Sequence, residues 1–149
     1  MITHVKGDLF AANERAIAHG CNCHGVMGAG VAKIVREKYH TAFLYYRQAV
    51  SQGWFYPGVA QPCRVDHDNG EVTTVYNLAT QNAPGANAKY HFVEQAMRNM
   101  KEHMFFVGNK RIAMPKIGAG IGGLDWNRVE TIIDGVFARD TFDVVVYSL

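Results

Sequence analysis

Disulfides, charged tracts and long apolar runs are all missing from this sequence, and each absence narrows what the chain can be. Its three cysteines are odd in number, and Cys21 and Cys23 stand only one residue apart. They make no disulfide framework and suit a reducing compartment. Fifteen Lys and Arg against 13 Asp and Glu leave a formal charge of +2. These charges are scattered, with no block or stripe of the kind that tracks a nucleic-acid backbone, so no nucleic-acid partner is expected. No apolar run approaches the roughly 18 residues that a membrane span requires. The opening Met1-Ile2-Thr3-His4-Val5 has neither the basic region nor the apolar core of a signal peptide. The expected compartment is the cytosol, without membrane association. No repeat or low-complexity tract divides the 149 residues, 48% of them apolar, so one domain over 1–149 is expected.

What the chain does have is glycine at the ends of strands. Met114 to Trp126 reads MPKIGAGIGGLDW. Before it, Arg111-Ile112-Ala113-Met114 is patterned as a buried strand; after it, Val129, Ile132, Ile133, Val136 and Phe137 recur at helical spacing over Trp126 to Phe137. A glycine loop between a strand and a helix offers unpaired N–H groups and the positive end of a helix dipole, which makes an anion site, most often for phosphate. Gly118, Gly120 and Gly123 also satisfy G-x-G-x-x-G. A dinucleotide fingerprint, however, usually opens its domain and is followed by further βαβ units, and here only one helix and one strand remain. The phosphate cradle is the preferred reading.

A second such loop, Asn22 to Gly30, joins the strand-like Ala16–Cys21 to a helix whose apolar face comprises Val31, Ala32, Ile34 and Val35. Earlier, a first strand over Ile2–Val5 leads to Asp8, which reads either as a binding acid or as the cap of a turn. Thr41 is the expected N-cap of another helix that reaches about Ser51, and Asn69-Gly70 signals a hairpin between strands at Ala60–Val65 and Glu71–Ala79. A helix from Tyr90 to about Phe106 and a strand over Asp143–Ser148, buried on both faces, complete the pattern. The alternation predicts a three-layer α/β/α domain with a mixed sheet. In such sheets ligands sit beyond the carboxyl ends of the strands, where both glycine loops and Thr80-Gln81-Asn82 fall.

His19, Cys21, Cys23 and His24 form a compact cluster that could suggest zinc. Structural zinc usually takes two cysteine pairs or their histidine equivalents, and Cys63 has no adjacent partner. Buried free thiols are the preferred reading, with no metal expected. Asn22, Thr80 and Gln81 offer amide and hydroxyl groups that serve equally to hold a ribose or to satisfy loop backbone.

Four separated blocks, ITHVKGDLFA, AHGCNCHGVMGAGVAKIVREKY, MPKIGAGIGGLDW and VVVYSL, occur in the order that resembles a macro domain, the ADP-ribose-binding module. The resemblance covers nearly the whole chain and is to the branch containing terminal ADP-ribose protein glycohydrolase and the ADP-ribose-1″-phosphate phosphatases. It implies that ADP-ribose or a derivative is the ligand, with ADP-ribosylated protein as a further partner. It also implies that Asp8 meets the adenine amino group, with Leu9 and Phe10 lining that pocket, and that Asn22 contacts the distal ribose. Gly28, Ala29, Gly30 and Val31 match the first diphosphate loop; Gly118, Ala119, Gly120, Ile121 and Gly122 match the second. Tyr147 and Leu149 correspond to the closure over the adenine and its ribose. No cofactor is expected, and the chain is expected to act as a monomer.

The same resemblance bears on the reaction. The glycohydrolase branch carries a catalytic lysine after the strand and an aspartate in the second glycine loop, where this chain has Gln81 and Gly122. Neither can act as an amine nucleophile or a carboxylate base. His19-Gly20-Cys21-Asn22-Cys23 and Gly120-Ile121-Gly122-Gly123 instead resemble the phosphatase branch. The expectation is therefore a hydrolase that removes the terminal phosphate of ADP-ribose 1″-phosphate, with His19 or His24 moving the proton. A strand histidine such as His19 reads equally as a satisfied core residue. The alternatives are a glycohydrolase that releases acyl-linked ADP-ribose through a substrate-assisted water without lysine, and a non-catalytic binding module.

Overall fold

Alternation at a period of two splits the strand residues between the faces of one sheet. The computed structural model describes residues 1–138 and 141–149. Its elements are β1 (Ile2–Lys6), β2 (Ala16–Cys21), α1 (Gly30–Lys38), α2 (His40–Ser51), β3 (Ala60–Asp66), β4 (Val72–Ala79), α3 (Tyr90–Val107), β5 (Arg111–Met114), α4 (Trp126–Phe137) and β6 (Asp143–Ser148). The sheet order is β1-β6-β5-β2-β4-β3. Every pairing is parallel except the β3–β4 hairpin, so the sheet is mixed as predicted.

Ala18, Leu78, Met114 and Val146 face α3 and α4, whereas Ile17, Val75, Ala113 and Val145 face α1 and α2. The result is the three-layer α/β/α arrangement. On α3, Val93, Ala96, Met97, Met100 and Met104 form a buried stripe, and the helix stops at Gly108, whose φ of 76° is the left-handed cap glycine favours. No described helix is long and apolar enough to cross a membrane.

Two local expectations need correction, and a third feature takes definite form. α2 starts at His40 with Tyr39 as its cap residue, so Thr41 lies inside the helix and caps nothing. Ile34 is 42% exposed, because the buried stripe of α1 continues from Val35 to Tyr39 and Ile34 lies off that line. Between β1 and β2 the chain makes a 3₁₀ turn over Leu9–Ala11, which buries Leu9 and Phe10.

The centre of the sheet positions the site. β2 and β5 pair at one register position, Ile17 opposite Ala113. β5 then ends at Met114, because Pro115 has no N–H to continue the ladder. The last residues of β2 therefore have no strand beside them on that side. From here β2 leads by α1 and α2 to one side of the sheet, and β5 leads by α4 to the other, so the gap is a topological switch point.

Candidate functional site

The gap beyond Ile17 and Ala113 opens into a cleft of about 490 Å³ at the carboxyl ends of the strands. Gly20, Cys21 and Ile117 line it at the strand ends, with Gly28–Val31 from one glycine loop and Gly118, Gly120, Ile121 and Gly122 from the other. Thr80, Gln81, Pro84 and Gly85 contribute from the segment after β4. The two loops touch: a Cβ on Gly30 would stand 3.0 Å from Ile121 Cδ1.

Both loops present spare donors. In α1 the first intrahelical bond is donated by Lys33 N–H to Ala29 O at 3.3 Å, and no side chain caps the helix. The N–H groups of Gly30, Val31 and Ala32 are left for a ligand. In the second loop the bonds that set the turn are donated by Ala119, Gly123 and Leu124, the last to Gly118 O at 2.8 Å. Among the described residues, no chain group accepts from the N–H groups of Gly120, Ile121 or Gly122.

Among the described residues that line the cleft, Lys116 is the only charged one, and no acidic residue or histidine joins it. Among the described residues it has no ion-pair partner. Burial holds the Cys21 thiol protonated by pushing its pKa well up, with nearby Cys63 adding to the effect. A helix N-terminus and two sets of unpaired N–H groups therefore border a common space, with the exposed Lys116 among its lining residues and no acidic residue among the described ones. Such a space selects an anion.

Polar side chains brace these walls. Asn22 Oδ1 accepts from His24 N–H at 2.9 Å, and Asn22 Nδ2 donates to Val26 O at 2.8 Å. The Tyr46 hydroxyl reaches Asn22 Oδ1 at 2.7 Å and accepts from Gly25 N–H at 3.0 Å. One Asn22 amide hydrogen remains unused. Gln81 Nε2 donates to Ala83 O and Gly85 O at 2.7 and 2.9 Å, holding the segment after β4 closed on itself. Thr80 is buried with its hydroxyl 2.8 Å from where a Gly20 Cβ would lie, so glycine is needed there. Gly122 has no room for a side chain either: a Cβ would fall 2.8 Å from Gly118 O and 2.9 Å from Ala88 Cβ.

Of the residues singled out in the sequence, the cleft gathers Asn22, Gly28, Ala29, Gly30, Val31, Thr80, Gly118, Gly120, Ile121 and Gly122. Ala119 belongs to the same loop without lining the cleft. Asp8 instead caps the 3₁₀ turn, accepting from Phe10 N–H at 2.9 Å, and Leu9 and Phe10 pack into the α1–α2 side of the core. Tyr147 donates its hydroxyl to Glu14 at 2.6 Å, and Leu149 is exposed. Glu14 also accepts from Arg111 Nε and Nη2 at 2.9 and 2.8 Å, and this contact holds its carboxyl below the usual carboxylate range. These outlying residues cluster by β1 and β6, where Val5 pairs with Tyr147.

The proposed histidines part company. His19 is 1% exposed, and its Nε2 lies 2.6 Å from Asn77 Oδ1, while Asn77 itself donates to Ala42 O and Gln61 Oε1. Burial lowers its pKa to about 4, so the ring is neutral near pH 7. It is not among the residues lining the cleft, and its burial and its bond to Asn77 match the alternative expectation of a satisfied core residue. His24 is exposed on the loop that flanks the cleft. Cys21 and Cys63 are buried free thiols, and Cys23 is half-buried. Lys116, Ile117, Pro84 and Gly85 line the cleft without a motif that marks them, and the one local signal at Lys116 is a cation directly after the proline that ends β5.

Comparison with known proteins agrees with this geometry. Residues 18–133 match the macro domain family. The chain is similar to the ADP-ribose glycohydrolase OARD1 of Homo sapiens, at 28% identity over 99% of this chain and 91% of the relative. It is also similar to an ADP-ribose 1″-phosphate phosphatase of Candida albicans, at 29% identity over 89% of this chain and 92% of the relative. Among solved structures, the macrodomain of Mycobacterium tuberculosis DarG superposes with a TM-score of 0.88 at 28% identity, covering 100% of this chain and 98% of that one. A central mixed sheet with two glycine loops at its switch point and a family match over most of the sequence lead to one conclusion: the chain belongs to the macro domain family.

Proposed function

We propose that the cleft binds ADP-ribose derivatives and that the chain hydrolyses the terminal phosphate of ADP-ribose 1″-phosphate. The observation that carries this reading is the pair of unpaired N–H sets on facing walls, with Lys116 the only charged residue among the described ones lining the cleft. A diphosphate can bridge the two loops, and a terminal phosphoryl group brings further negative charge to the same field. In the reaction a water oxygen attacks phosphorus, the bond from phosphorus to the C1″ oxygen breaks, and that oxygen takes up a proton. Loop N–H groups and the Lys116 ammonium offset charge on the phosphoryl oxygens as it develops. In this reading His24 of the flanking loop moves the proton, and because it lies outside the cleft lining its ring has to turn in toward the leaving oxygen to do so. Gln81 and Gly122 supply neither an amine nor a carboxylate, which weighs against a lysine-dependent glycohydrolase.

A second reading, binding without turnover, is favoured by the absence of any imidazole or carboxylate from the cleft lining. Incubation with ADP-ribose 1″-phosphate and, separately, with glutamate-linked ADP-ribosyl protein distinguishes the possibilities. Release of inorganic phosphate from the first supports the phosphatase. Free ADP-ribose from the second alone replaces it with a glycohydrolase. Calorimetric ADP-ribose binding with neither product leaves the binding module.

A further inference from the structure

Tyr46 is buried in the middle of α2, yet its hydroxyl is spent on the first glycine loop. It accepts from Gly25 N–H at 3.0 Å, and its one proton is donated to Asn22, whose backbone O and Oδ1 lie 2.8 and 2.7 Å away. Burial raises the pKa of the phenol, so that proton stays in place. The ring is fixed as firmly as the hydroxyl. Ala42, Tyr46 and Ala49 form the buried stripe of α2, and Phe55 meets the Tyr46 ring edge-on at 5.0 Å.

These contacts decide which way the Asn22 amide faces. Oδ1 accepts from His24 N–H at 2.9 Å and from the Tyr46 hydroxyl, while Nδ2 donates to Val26 O at 2.8 Å. Turning the amide over would set Nδ2 against the His24 N–H and Oδ1 against the Val26 carbonyl, donor on donor and acceptor on acceptor. Of the two hydrogens on Nδ2, one goes to Val26 O, and the second has no partner among the described residues. Asn22 lines the cleft, so this hydrogen is a donor offered to a ligand oxygen.

We propose that Tyr46 is a positioning residue, whose hydroxyl locks the Asn22 amide so that Nδ2 presents its free hydrogen to an oxygen of the distal ribose. This rests on the reading that ADP-ribose fills the cleft with Asn22 at that ribose. The diphosphate end is set up differently. Gly30, Val31 and Ala32 offer their N–H groups from the first turn of α1 and make no bond to Tyr46. Loss of the hydroxyl therefore falls on the ribose contact. Asn22 Oδ1 keeps only the His24 N–H, and the side chain is then ordered by the ligand instead of by the fold, which weakens the complex.

Tyr46→Phe keeps the ring and removes the hydroxyl. Calorimetric titrations compare ADP-ribose with ADP, which carries the adenosine and the diphosphate but no distal ribose. The variant should bind ADP-ribose about three- to tenfold more weakly and bind ADP as the wild type does. Asn22→Ala should have the same selective effect, and adding Tyr46→Phe to it should cause no further loss. Equal weakening of both nucleotides would make Tyr46 a support of the whole loop and overturn the proposal, as would unchanged ADP-ribose affinity or additive losses. If Tyr46→Phe fails to fold, amide NMR spectra of the wild type decide. The Asn22 side-chain hydrogens should shift with ADP-ribose and stay in place with ADP, and any other pattern overturns the proposal. Failure of the wild type to bind either nucleotide would overturn the cleft reading and the proposal with it, whereas wild-type binding with an unaffected variant removes the role of Tyr46 alone.

Discussion

Gln81 Oε1 lies 3.3 Å from the point that a Cβ on Gly122 would occupy, so the two positions pack on one another. They are the same two positions at which the glycohydrolase resemblance places a lysine and an aspartate. Each has been put to structural use instead: Gln81 ties Ala83 O and Gly85 O together, and Gly122 closes against Gly118 O and Ala88. Restoring one charged residue therefore disturbs the setting of the other.

Gly122→Asp should cost about 1–3 kcal/mol through overpacking against the Gly118 carbonyl. The melting temperature should fall by several degrees, and adding Gln81→Lys should not recover it. An unchanged calorimetric melt would show that the loop yields to the new side chain.

Gly120 is the contrasting position, because a Cβ there meets nothing within 4 Å and its φ is not in the left-handed region. Gly120→Val should leave stability within about 0.5 kcal/mol. ADP-ribose affinity should drop at least about tenfold, since the new methyl groups stand where phosphate must approach the N–H groups. Retained affinity would make this loop a turn and nothing more.

Asp8 has two separable roles. Loss of its bond to Phe10 N–H in Asp8→Ala should cost about 0.5–2 kcal/mol of stability, whereas Asp8→Ser keeps a capping oxygen. If the carboxylate also meets adenine, both variants lose about 1–3 kcal/mol of ADP-ribose affinity. Loss in the alanine variant alone would confine Asp8 to the cap.

Lys116→Gln should weaken ADP-ribose 1″-phosphate by about tenfold at low salt, and by less as salt screens this exposed charge. Titrations at two ionic strengths give the comparison. A loss independent of salt would point to shape rather than charge.

His19 sets a pH window. Its folded pKa of about 4 lies below the ordinary 6.5, so between these values the unfolded chain binds the extra proton. Its contribution is complete above about pH 6.5 and is lost as the pH falls toward 4, by up to about 3 kcal/mol. Urea midpoints of the wild type should decline over that range, and His19→Gln should flatten the decline. Glu14, lowered chiefly by its bond to Arg111, adds a separate loss below its ordinary 4.5. Parallel pH profiles for wild type and variant would mean that His19 is not buried in solution.

Periodicity made most of this fold legible. The hairpin at Asn69-Gly70, the stripe of α3 and the twofold alternation of the strands are local patterns, and each occurs where the sequence placed it. The glycine loops were legible for the same reason, since a strand, a glycine run and a helix lie in one continuous stretch. The fate of His19 was not, because its partner Asn77 comes from another strand 58 residues away.

The single register position between β2 and β5 also governs when the binding site comes into being. One wall follows Cys21 and the other follows Met114, so neither half of the chain carries a complete site. The walls meet only after β5 has entered between β2 and β6, a contact that closes a long loop and belongs to the slow, non-local part of assembly. A ligand that spans them recognises the finished sheet and no earlier species. At 100 times its Kd it would add about 2.7 kcal/mol to native stability, fastening the sheet across its least-paired seam.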